Sequence, residues 1–571
     1  IVSYLEKFGI GPQSAEGIYK KLGPNTITTI EENPYILIDL TVRVNFAQID
    51  QIAIKMGMDL ENDKRIRSGI KYALKLSTNN GHCAVLYENL IQFVKDLLNV
   101  SEVMIENNII FLKTKNEIVL EDRENQEWVY LYNYYVAEKN VAESLIALDN
   151  YLNVKEISNF EKKLKKIEKH SDLELSEKQR EAVIAVQEHN VCVITGGPGT
   201  GKTTIIKTII EMYKQEEKKV VLCAPTGRAA KRMSEATGEE AKTLHRLLEI
   251  GKTSSDELQN IDPNVEVAPL DADVIIVDEV SMVDIFLMNY LLQAIYKGTK
   301  IVLVGDRNQL PSVGPGNVLK DIIQSERLTT ITLNKIFRQA AKSKIILNSH
   351  KVNEGISIFS KDEQNENEEL LEDFFFINET NKLKVLENII SLCTGRLEKY
   401  GNYTFAQNIQ VISPTKKGEL GTKELNKSLQ QAINPESEEK NERKYIDSVF
   451  REGDRIMQIK NNYDIYWEKR EPTLEMGKGV FNGEYGTILN IDEVEKKVKI
   501  KFDDDKLVWY NFDELEQIEH SYCITVHKAQ RKRVRCSYYA NSTGCANVTY
   551  SYIAIHCNDK SKKITYFNWK S

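Results

Sequence analysis

The sequence has no Cys-x-x-Cys pair, no apolar run as long as a membrane span and no charged-then-apolar leader at its start. Its eight cysteines therefore predict neither a zinc site nor a disulfide framework. The missing apolar run predicts no membrane partner and a cytoplasmic location. The net charge of -8 argues against a chain that coats nucleic acid by bulk electrostatics, although a local basic groove would suffice for binding.

Length and hydrophobic patterning predict several domains and an α/β fold class. A chain of 571 residues exceeds one domain, and 41% hydrophobic with 28% charged residues is ordinary for globular proteins. Helix-length segments separate short apolar runs, which is typical of a parallel sheet wound with helices. The strand-like runs lie at 191–195, 219–224, 273–277, 300–304, 329–333 and 409–413.

A glycine-rich segment follows the first of these runs and opens a helix-like one. Glycines there let backbone N–H groups turn inward on a polyphosphate, and the helix adds the positive end of its dipole. Lys202 would reach the β and γ oxygens, and Thr203 would offer its hydroxyl to Mg²⁺. We predict a triphosphate cradle formed by Gly196, Gly197, Pro198, Gly199, Thr200, Gly201, Lys202, Thr203 and Thr204.

Two adjacent carboxylates end the run at 273–277. Asp278 would hold Mg²⁺ through water, and Glu279 would take a proton from an attacking water. A chance glycine turn is the alternative for the cradle, but this partner motif stands where phosphate chemistry requires one. The two motifs together predict ATP and Mg²⁺ as ligands.

Three further side chains fit a nucleotide site. Gln179 precedes the cradle, where its amide would pair with adenine through one donor and one acceptor. Gln309 follows the run at 300–304 and would sense the γ-phosphate. Arg338 would bring a permanent charge from the next lobe to the transition state.

Other segments after the strands suit a single nucleic-acid strand lying across the top of the sheet. Hydroxyls, backbone amides and a histidine would hold its phosphates there. For His245 taken alone, a core or helix-surface histidine is the better interpretation. The candidate contacts are Pro225, Thr226, Arg228, Thr243 and His245.

The two flanks of this core have different patterns. The first hundred residues read as short helices, and Gly9-Ile10-Gly11-Pro12 predicts a helix-hairpin-helix that grips a phosphate, with a simple helix turn as the alternative. Between about 480 and 518 short alternating strands place Val498, Ile500 and Phe502 on one face. This alternation predicts a small β-barrel insert.

In this order the motifs resemble the RecD-like helicases of superfamily 1, which move 5′ to 3′ on DNA. The specific segments are Gly196–Thr203, Asp278–Met282, Gly305–Pro311 and Ile524–Gln530. The resemblance runs from near residue 1 to about 530. It implies two RecA-like P-loop lobes with ATP between them, an N-terminal all-helical region and a small SH3-like β-barrel insert. It assigns Lys202, Asp278, Glu279, Gln309 and Arg338 to ATP turnover, and Thr525, His527 and Lys528 to DNA contact.

The resemblance also sets expected domain boundaries. A helix-hairpin-helix-like DNA-binding region would precede a connecting region and the ATP-binding lobe, and the barrel would interrupt the second lobe. The ranges are 1–105 for the helical region, 106–170 for the connection, 171–326 for the first lobe, 327–450 for the second, 451–519 for the barrel, 520–530 for the return and 531–571 for the tail.

Two departures from the family pattern stand out. The chain lacks the small domain that usually precedes the hairpins, so we expect a piece of a longer protein. After Gln530 the family continues Gly-Ser-Glu-Phe and later reaches Thr-Arg-Ala-Lys-Lys, but this chain continues with Arg531 and a run of basic residues. A divergent basic tail and a Cys/His metal tail are two possible interpretations.

A third interpretation is an out-of-frame tail caused by one extra base at the codon for Arg531. Reading the codons AGG AAG CGA GTT CGA TGT from their second base gives Gly-Ser-Glu-Phe-Asp-Val. With permitted codons carried to Lys570, the shifted frame supplies Thr-Arg-Ala-Lys-Lys at 559–563. We expect the chain as written to lack the last strand of its second lobe and an arginine that closes on ATP, and therefore to be nearly inactive.

The leading functional hypothesis is an ATP-dependent DNA helicase and DNA-stimulated ATPase that translocates on single-stranded DNA and opens 5′-tailed duplexes in repair or recombination. One rival is a conjugation-type or RNA helicase on the same core. The other is a nucleotide-gated DNA-binding fragment without motor activity, because the C-terminal arginine motif is missing. The sequence names no protein partner.

Overall fold

We describe the fold from a computed structural model. It describes residues 2–40, 45–151, 160–171, 174–250, 263–335, 342–358, 373–399, 409–470, 474–529, 536–539 and 564–567, apart from positions 7, 9, 11, 264, 266, 378, 380 and 398. Within these residues no helix is long and apolar enough to cross a membrane.

The N-terminal region is a helical domain with one small sheet. Its core includes Leu5, Phe46, Ile109 and Val129, all buried. The sheet is antiparallel in the order β1-β3-β2. The elements are α1 (Val2–Glu6), α2 (Pro12–Leu22), α3 (Thr26–Glu32), α4 (Ile36–Leu40), α5 (Phe46–Lys55), α6 (Asp63–Asn79), β1 (Ala84–Leu86), α7 (Tyr87–Leu98), α8 (Glu102–Thr114), β2 (Ile118–Arg123) and β3 (Gln126–Leu131). The next two helices, α9 (Tyr132–Asp149) and α10 (Phe160–Ser171), bury their apolar residues in the cores of the first lobe.

This domain extends beyond the predicted boundary at residue 105. Strand β1 pairs with β3, placing Ala84 opposite Tyr130, and Ile109 and Val129 pack in the same core as Leu5. The range 106–170 is therefore not a mere connection. The predicted hairpin has α1 before it and α2 after it, while Gly9 and Gly11 themselves lie outside the described residues.

The first lobe is a six-stranded parallel sheet in the order β6-β5-β7-β8-β4-β9. Every residue of β4, β7 and β8 is buried, as expected for parallel strands covered on both faces. The elements are α11 (Glu177–Glu188), β4 (Val191–Gly196), α12 (Lys202–Lys214), β5 (Val220–Ala224), α13 (Gly227–Thr237), β6 (Ala241–Thr243), α14 (Leu244–Leu247), β7 (Val274–Val277), α15 (Ile285–Gln293), β8 (Lys300–Gly305), α16 (Val318–Ser325) and β9 (Thr329–Leu333).

The expected start of the second lobe at residue 327 is wrong, because β9 belongs to the first sheet. Its backbone pairs with β4 in parallel, from Cys192 opposite Thr329 to Gly196 opposite Leu333. The lobe boundary therefore follows Leu333.

The insert is an antiparallel seven-stranded sheet in the order β16-β15-β19-β18-β17-β14-β20. Val498, Ile500 and Phe502 point into its core, as the alternation predicts, together with Val508 and Tyr510. A hairpin of β12 (Glu442–Tyr445) and β13 (Ser448–Arg451) precedes it. The sheet strands are β14 (Arg455–Gln458), β15 (Asn462–Lys469), β16 (Glu475–Val480), β17 (Tyr485–Asp492), β18 (Lys497–Phe502), β19 (Leu507–Asn511) and β20 (Ile518–His520).

The second lobe is a five-stranded sheet in the order β10-β23-β22-β11-β21, in which all described neighbours are parallel. Val411 and Cys523 lie in its core with Leu425. The elements are α17 (Lys344–Asn353), β10 (Phe375–Phe376), α18 (Lys382–Ser391), β11 (Ile409–Ser413), α19 (Thr422–Ile433), β21 (Cys523–Thr525), α20 (Val526–Ala529), β22 (Cys536–Tyr539) and β23 (Ile564–Phe567).

The chain is expected to lack the last strand of its second lobe, but the tail adds two strands to that sheet. Strand β22 pairs with β11, placing Ile409 opposite Cys536, and β23 pairs with β22. The two segments read Cys-Ser-Tyr-Tyr and Ile-Thr-Tyr-Phe, which are rich in the aromatic and β-branched residues that favour strands.

Candidate active site at the edge of the first sheet

The glycine-rich segment forms a tight loop between β4 and α12. Gly199 and Gly201 have φ values of 77° and 83°, a region that glycine enters without strain. A Cβ on Gly196 would lie 2.7 Å from Thr200 Oγ1 and 3.0 Å from the carbonyl oxygen of Leu333. Bare backbone therefore leads into the N-terminus of a 13-residue helix, the arrangement that binds phosphate.

Lys202 opens α12, and its ammonium group folds back over the loop. Its Nζ donates hydrogen bonds to the carbonyl oxygens of Gly196 and Gly197, the second at 3.0 Å. Thr200 Oγ1 donates to the same Gly197 oxygen at 2.9 Å. Thr203 follows in the first turn of the helix. Residues 196–204 thus form one continuous loop and helix start.

Asp278 and Glu279 directly follow β7, which is separated from β4 only by β8. The Asp278 carboxylate accepts the backbone N–H of Glu279 at 2.8 Å. Glu279 has a positive φ of 59° and is only 6% exposed. The guanidinium group of Arg232, on α13, lies 3.6 Å from Glu279 Oε1. Parallel strands thus bring both carboxylates to the edge that carries the phosphate loop.

Gln309 is linked to this carboxylate segment through a side-chain hydrogen bond. Ser281 Oγ donates to Gln309 Oε1 at 3.4 Å. Asp306, three residues before Gln309, is buried, and burial raises the pKa of its carboxyl group while Lys202 opposes the rise. The turn after β8 therefore lies within the electrostatic range of the phosphate loop.

The side-chain amide of Gln179 is hydrogen-bonded to two nearby backbone groups. It is 2% exposed, and its Oε1 accepts the backbone N–H of Ser176 at 2.9 Å in a capping box at the start of α11. Its amide nitrogen also donates to the Thr200 carbonyl at 3.4 Å. The structure thus gives Gln179 a structural role beside the phosphate loop.

The second lobe reaches the phosphate loop through a residue that the motifs did not indicate. His350, on α17, places Nε2 3.5 Å from the carbonyl oxygen of Pro198. Arg338, the predicted contribution of this lobe, lies outside the described residues. No motif in the sequence predicts His350 or Arg232 at this site, because each lies on a separate helix and reaches the site only through packing.

The predicted DNA-contacting threonines share one local role. Thr226, Thr243 and Thr525 each precede a short or medium helix, and each hydroxyl oxygen accepts a backbone N–H from the first turn of that helix. All three lie at the carboxyl ends of parallel strands, namely β5, β6 and β21. Pro225 follows β5 directly.

The charged members of the predicted DNA-contacting set have internal partners. The guanidinium carbon of Arg228 lies 4.1 Å from the ring centre of Tyr485 in the insert. Lys528 Nζ donates to Glu519 at 2.7 Å. His245 packs near Asp284, and burial lowers the pKa of its imidazole while that carboxylate opposes the shift. His527 is the second residue of α20.

An exposed row of aromatic and basic side chains crosses the outer face of the insert. Tyr466 pairs with Lys478, and Trp509 pairs with Lys499. The pairing of Trp467 with Val508 places Tyr466 opposite Trp509. We call Lys478, Tyr466, Trp509 and Lys499 the outer row.

The side chains of the outer row are open to solvent. Tyr466 is 69% exposed and Trp509 42%. The ammonium groups of Lys478 and Lys499 lie 4.4 and 5.1 Å from the centres of the two rings. The alternation of β18 and β19 could have revealed this row, since the residues on either side of Lys499 and of Trp509 along these strands are buried.

Family models match three parts of the chain. The ATP-dependent RecD2 DNA helicase HHH domain matches residues 1–84, an AAA domain matches 179–315, and the ATP-dependent RecD-like DNA helicase SH3 domain matches 425–502. These three matches fall on the helical domain, the first lobe and the insert.

Relatives match across the domains. The RecBCD enzyme subunit RecD of Buchnera aphidicola subsp. Schizaphis graminum is 30% identical over 471 residues, covering 70% of this chain and 73% of that protein. The ATP-dependent RecD2 DNA helicase of Deinococcus radiodurans is 28% identical over 540 residues, covering 93% of this chain and 69% of that protein.

Among solved structures, a Pif1 helicase from Bacteroides in complex with ADP-AlF3 and ssDNA is 16% identical, with a TM-score of 0.40 over 70% of this chain and 94% of that one. The matching domains, their order and the identity over most of the chain agree with the motifs at the sheet edge. The chain belongs to the RecD-like ATP-dependent DNA helicases of superfamily 1, with an N-terminal helix-hairpin-helix domain.

Proposed function

We propose that this chain, when residues 531–570 carry the shifted reading, hydrolyses ATP at the edge of the first sheet and uses the energy to move 5′ to 3′ along single-stranded DNA. The observation that carries the proposal is the gathering of Lys202, Glu279 and Gln309 at the carboxyl ends of β4, β7 and β8. The phosphate loop supplies the cradle, and the two neighbouring turns supply a carboxylate and an amide.

The chemistry follows from what these side chains can exchange. Lys202 would give up the carbonyl oxygens of Gly196 and Gly197 for the β and γ oxygens of ATP, gaining charge-assisted hydrogen bonds. Glu279 would take the proton of the attacking water, and the guanidinium group of Arg232 lies 3.6 Å from its Oε1. Arg338 would neutralise charge on the transferred phosphoryl group.

The donor set at this edge also fits Mg²⁺. The hydroxyl of Thr203 and the carboxylate of Asp278 are oxygen ligands of the kind this cation prefers. When bound, Mg²⁺ would supply positive charge that neutralises the phosphates. Thr203 and Asp278 are therefore the residues that would hold it.

Single-stranded DNA would lie across the helix starts that follow β5, β6 and β21. The three capping threonines mark these helix starts, and helix N-termini attract anions. The outer row offers two exposed rings and two lysines, the combination that binds single strands without sequence preference. His527 and Lys528 would complete this surface in the second lobe.

The 5′ to 3′ direction, the 5′-tailed duplex substrate and a role in repair or recombination rest on the family resemblance. A second candidate, a nucleotide-gated DNA-binding fragment, is favoured by one observation. Residues 559–563 read Asp-Lys-Ser-Lys-Lys where the family has Thr-Arg-Ala-Lys-Lys.

Two measurements test these proposals. ATP hydrolysis with and without single-stranded DNA separates a motor from a gated binding protein, because only the motor shows stimulated turnover. Unwinding of duplexes with a 5′ tail, compared with matched 3′-tailed duplexes, tests the direction. Opening of the 3′-tailed substrate alone would show that the assigned direction is wrong.

A further inference from the structure

The imidazole of His350 packs directly on the phosphate loop, although it belongs to the other lobe. Its Nε2 lies 3.5 Å from the carbonyl oxygen of Pro198. A Cβ on Gly197 would lie only 2.9 Å from its Cε1. The ring therefore touches the backbone of two successive loop residues, and glycine at 197 leaves the room that this contact needs.

His350 contacts the end of the loop that would hold the terminal phosphates of a bound nucleotide. Lys202, which in such loops reaches the β and γ oxygens, donates to the Gly196 and Gly197 carbonyl oxygens. His350 contacts Gly197 and the next residue, Pro198. The imidazole and the ammonium group therefore flank the same stretch of backbone.

The buried carboxyl group of Asp306 lies close enough to residues of both lobes to be affected by their charges. Burial raises the pKa of Asp306; the charges of Lys202 and His350 oppose that rise, and Glu279 adds to it. Lys202, Glu279 and His350 thus all affect the pKa of Asp306. His350 lies within the electrostatic range of the residues proposed for ATP turnover.

The helix that carries His350 is anchored in the second lobe. Ser343 caps α17 by accepting the Ile346 N–H, and its hydroxyl donates to Asp373 at 2.5 Å. Asp373 also accepts the N–H of Ile345 and is buried just before β10. His350 therefore moves with the second lobe and not with the phosphate loop.

We propose that His350 is a triphosphate ligand that the second lobe brings to the loop. This rests on the proposed ATPase function. The 3.5 Å contact with Pro198 is at the outer limit of a hydrogen bond, so little is lost when Nε2 turns to a phosphate oxygen. A bond to a charged phosphate is stronger. Because the contact is made at the terminal phosphate, His350 distinguishes a nucleoside triphosphate from a diphosphate.

Equilibrium binding of ATPγS and of ADP to the 571-residue chain tests this without requiring turnover. We expect His350→Ala to weaken ATPγS binding about tenfold or more, the size of a lost bond to a charged group. ADP binding should change less than about twofold, because a diphosphate leaves the terminal position empty. His350→Gln carries an amide N–H in place of Nε2–H and should recover most of the ATPγS affinity.

Two controls separate this proposal from the function on which it rests. His82→Ala removes an exposed histidine of the helical domain and should change neither affinity. Lys202→Ala should weaken both nucleotides, and failure to do so would count against the ATP site itself. Unchanged ATPγS binding in His350→Ala, an equal loss for ADP, or no recovery in His350→Gln would overturn the role of His350.

Discussion

The two parallel sheets of this chain hold their functional residues in different ways. In the first lobe, Lys202 opens the helix after the loop that follows β4, and Glu279 and Gln309 lie in the turns after β7 and β8, so one sheet edge brings them together. The second lobe instead sends a single imidazole from the middle of α17 to the Pro198 carbonyl. One site is built by a sheet edge, and the other contribution depends on how two lobes meet.

The largest expected effect concerns the Thr-Arg-Ala-Lys-Lys motif of the family, in place of which residues 559–563 read Asp-Lys-Ser-Lys-Lys. Replacing residues 531–570 by the shifted reading restores Thr-Arg-Ala-Lys-Lys just before β23. Such an arginine is worth about 10³–10⁵ in rate. DNA-stimulated ATP hydrolysis should therefore rise by about that factor, measured side by side in the two chains.

A matched chain with the restored arginine replaced by lysine should stay close to the low rate, because lysine lacks the planar guanidinium group. Robust DNA-stimulated hydrolysis by the chain as written would contradict the shifted reading. So would gene codons around Arg531 that are incompatible with it. Either result would mean that the second lobe of the chain as written is not defective compared with the first.

The second prediction concerns the first lobe in the chain with the restored tail. Lys202→Ala and Glu279→Gln should each reduce ATP turnover by about 10²–10⁴ or more, but for different reasons. The first change removes a charge from the phosphates, and the second removes the base while keeping its shape. Nucleotide affinity, measured by titration, should therefore survive better in Glu279→Gln. An equal loss of affinity in both variants would count against these roles.

The contrast between the lobes explains what the sequence could predict. All six strand-like runs form strands within one or two residues of their predicted ends, since uninterrupted apolar runs have few alternatives to buried parallel strands. The phosphate loop and the two carboxylates could be predicted because each motif is contiguous in the sequence and directly follows such a strand.

Residues that meet only through tertiary packing could not be predicted. His350 lies 152 positions from Pro198, and no local spacing encodes that approach. The strand β9 was assigned to the wrong lobe because strand propensity does not reveal which sheet a strand joins. The capping of α11 by Gln179 does have a local signal, since Gln179 lies three residues after Ser176, and its contact with adenine stays a prediction.

The third prediction asks whether the insert belongs to the DNA path that joins the two lobes. Tyr466→Ala and Trp509→Ala should each weaken binding of single-stranded oligothymidylate, because one stacked base is worth about 1–3 kcal/mol. The loss is about fivefold to 150-fold by fluorescence anisotropy. Val494→Ala, at the exposed β17–β18 turn, is the matched control and should bind normally. If all three variants bind alike, the outer row does not contact DNA.

The smallest expected effect tests whether the first sheet edge acts as a unit. Ser281→Ala removes the 3.4 Å bond to Gln309 Oε1, which ties the carboxylate segment to the turn after β8. A neutral bond of this kind contributes about 0.5–1.5 kcal/mol, so stimulation of hydrolysis by DNA should fall about twofold to tenfold in the chain with the restored tail. Nucleotide affinity should change little, because Ser281 is not part of the phosphate loop. A double-mutant cycle with Gln309→Ala then measures the coupling, and additive losses would show that the two turns act independently.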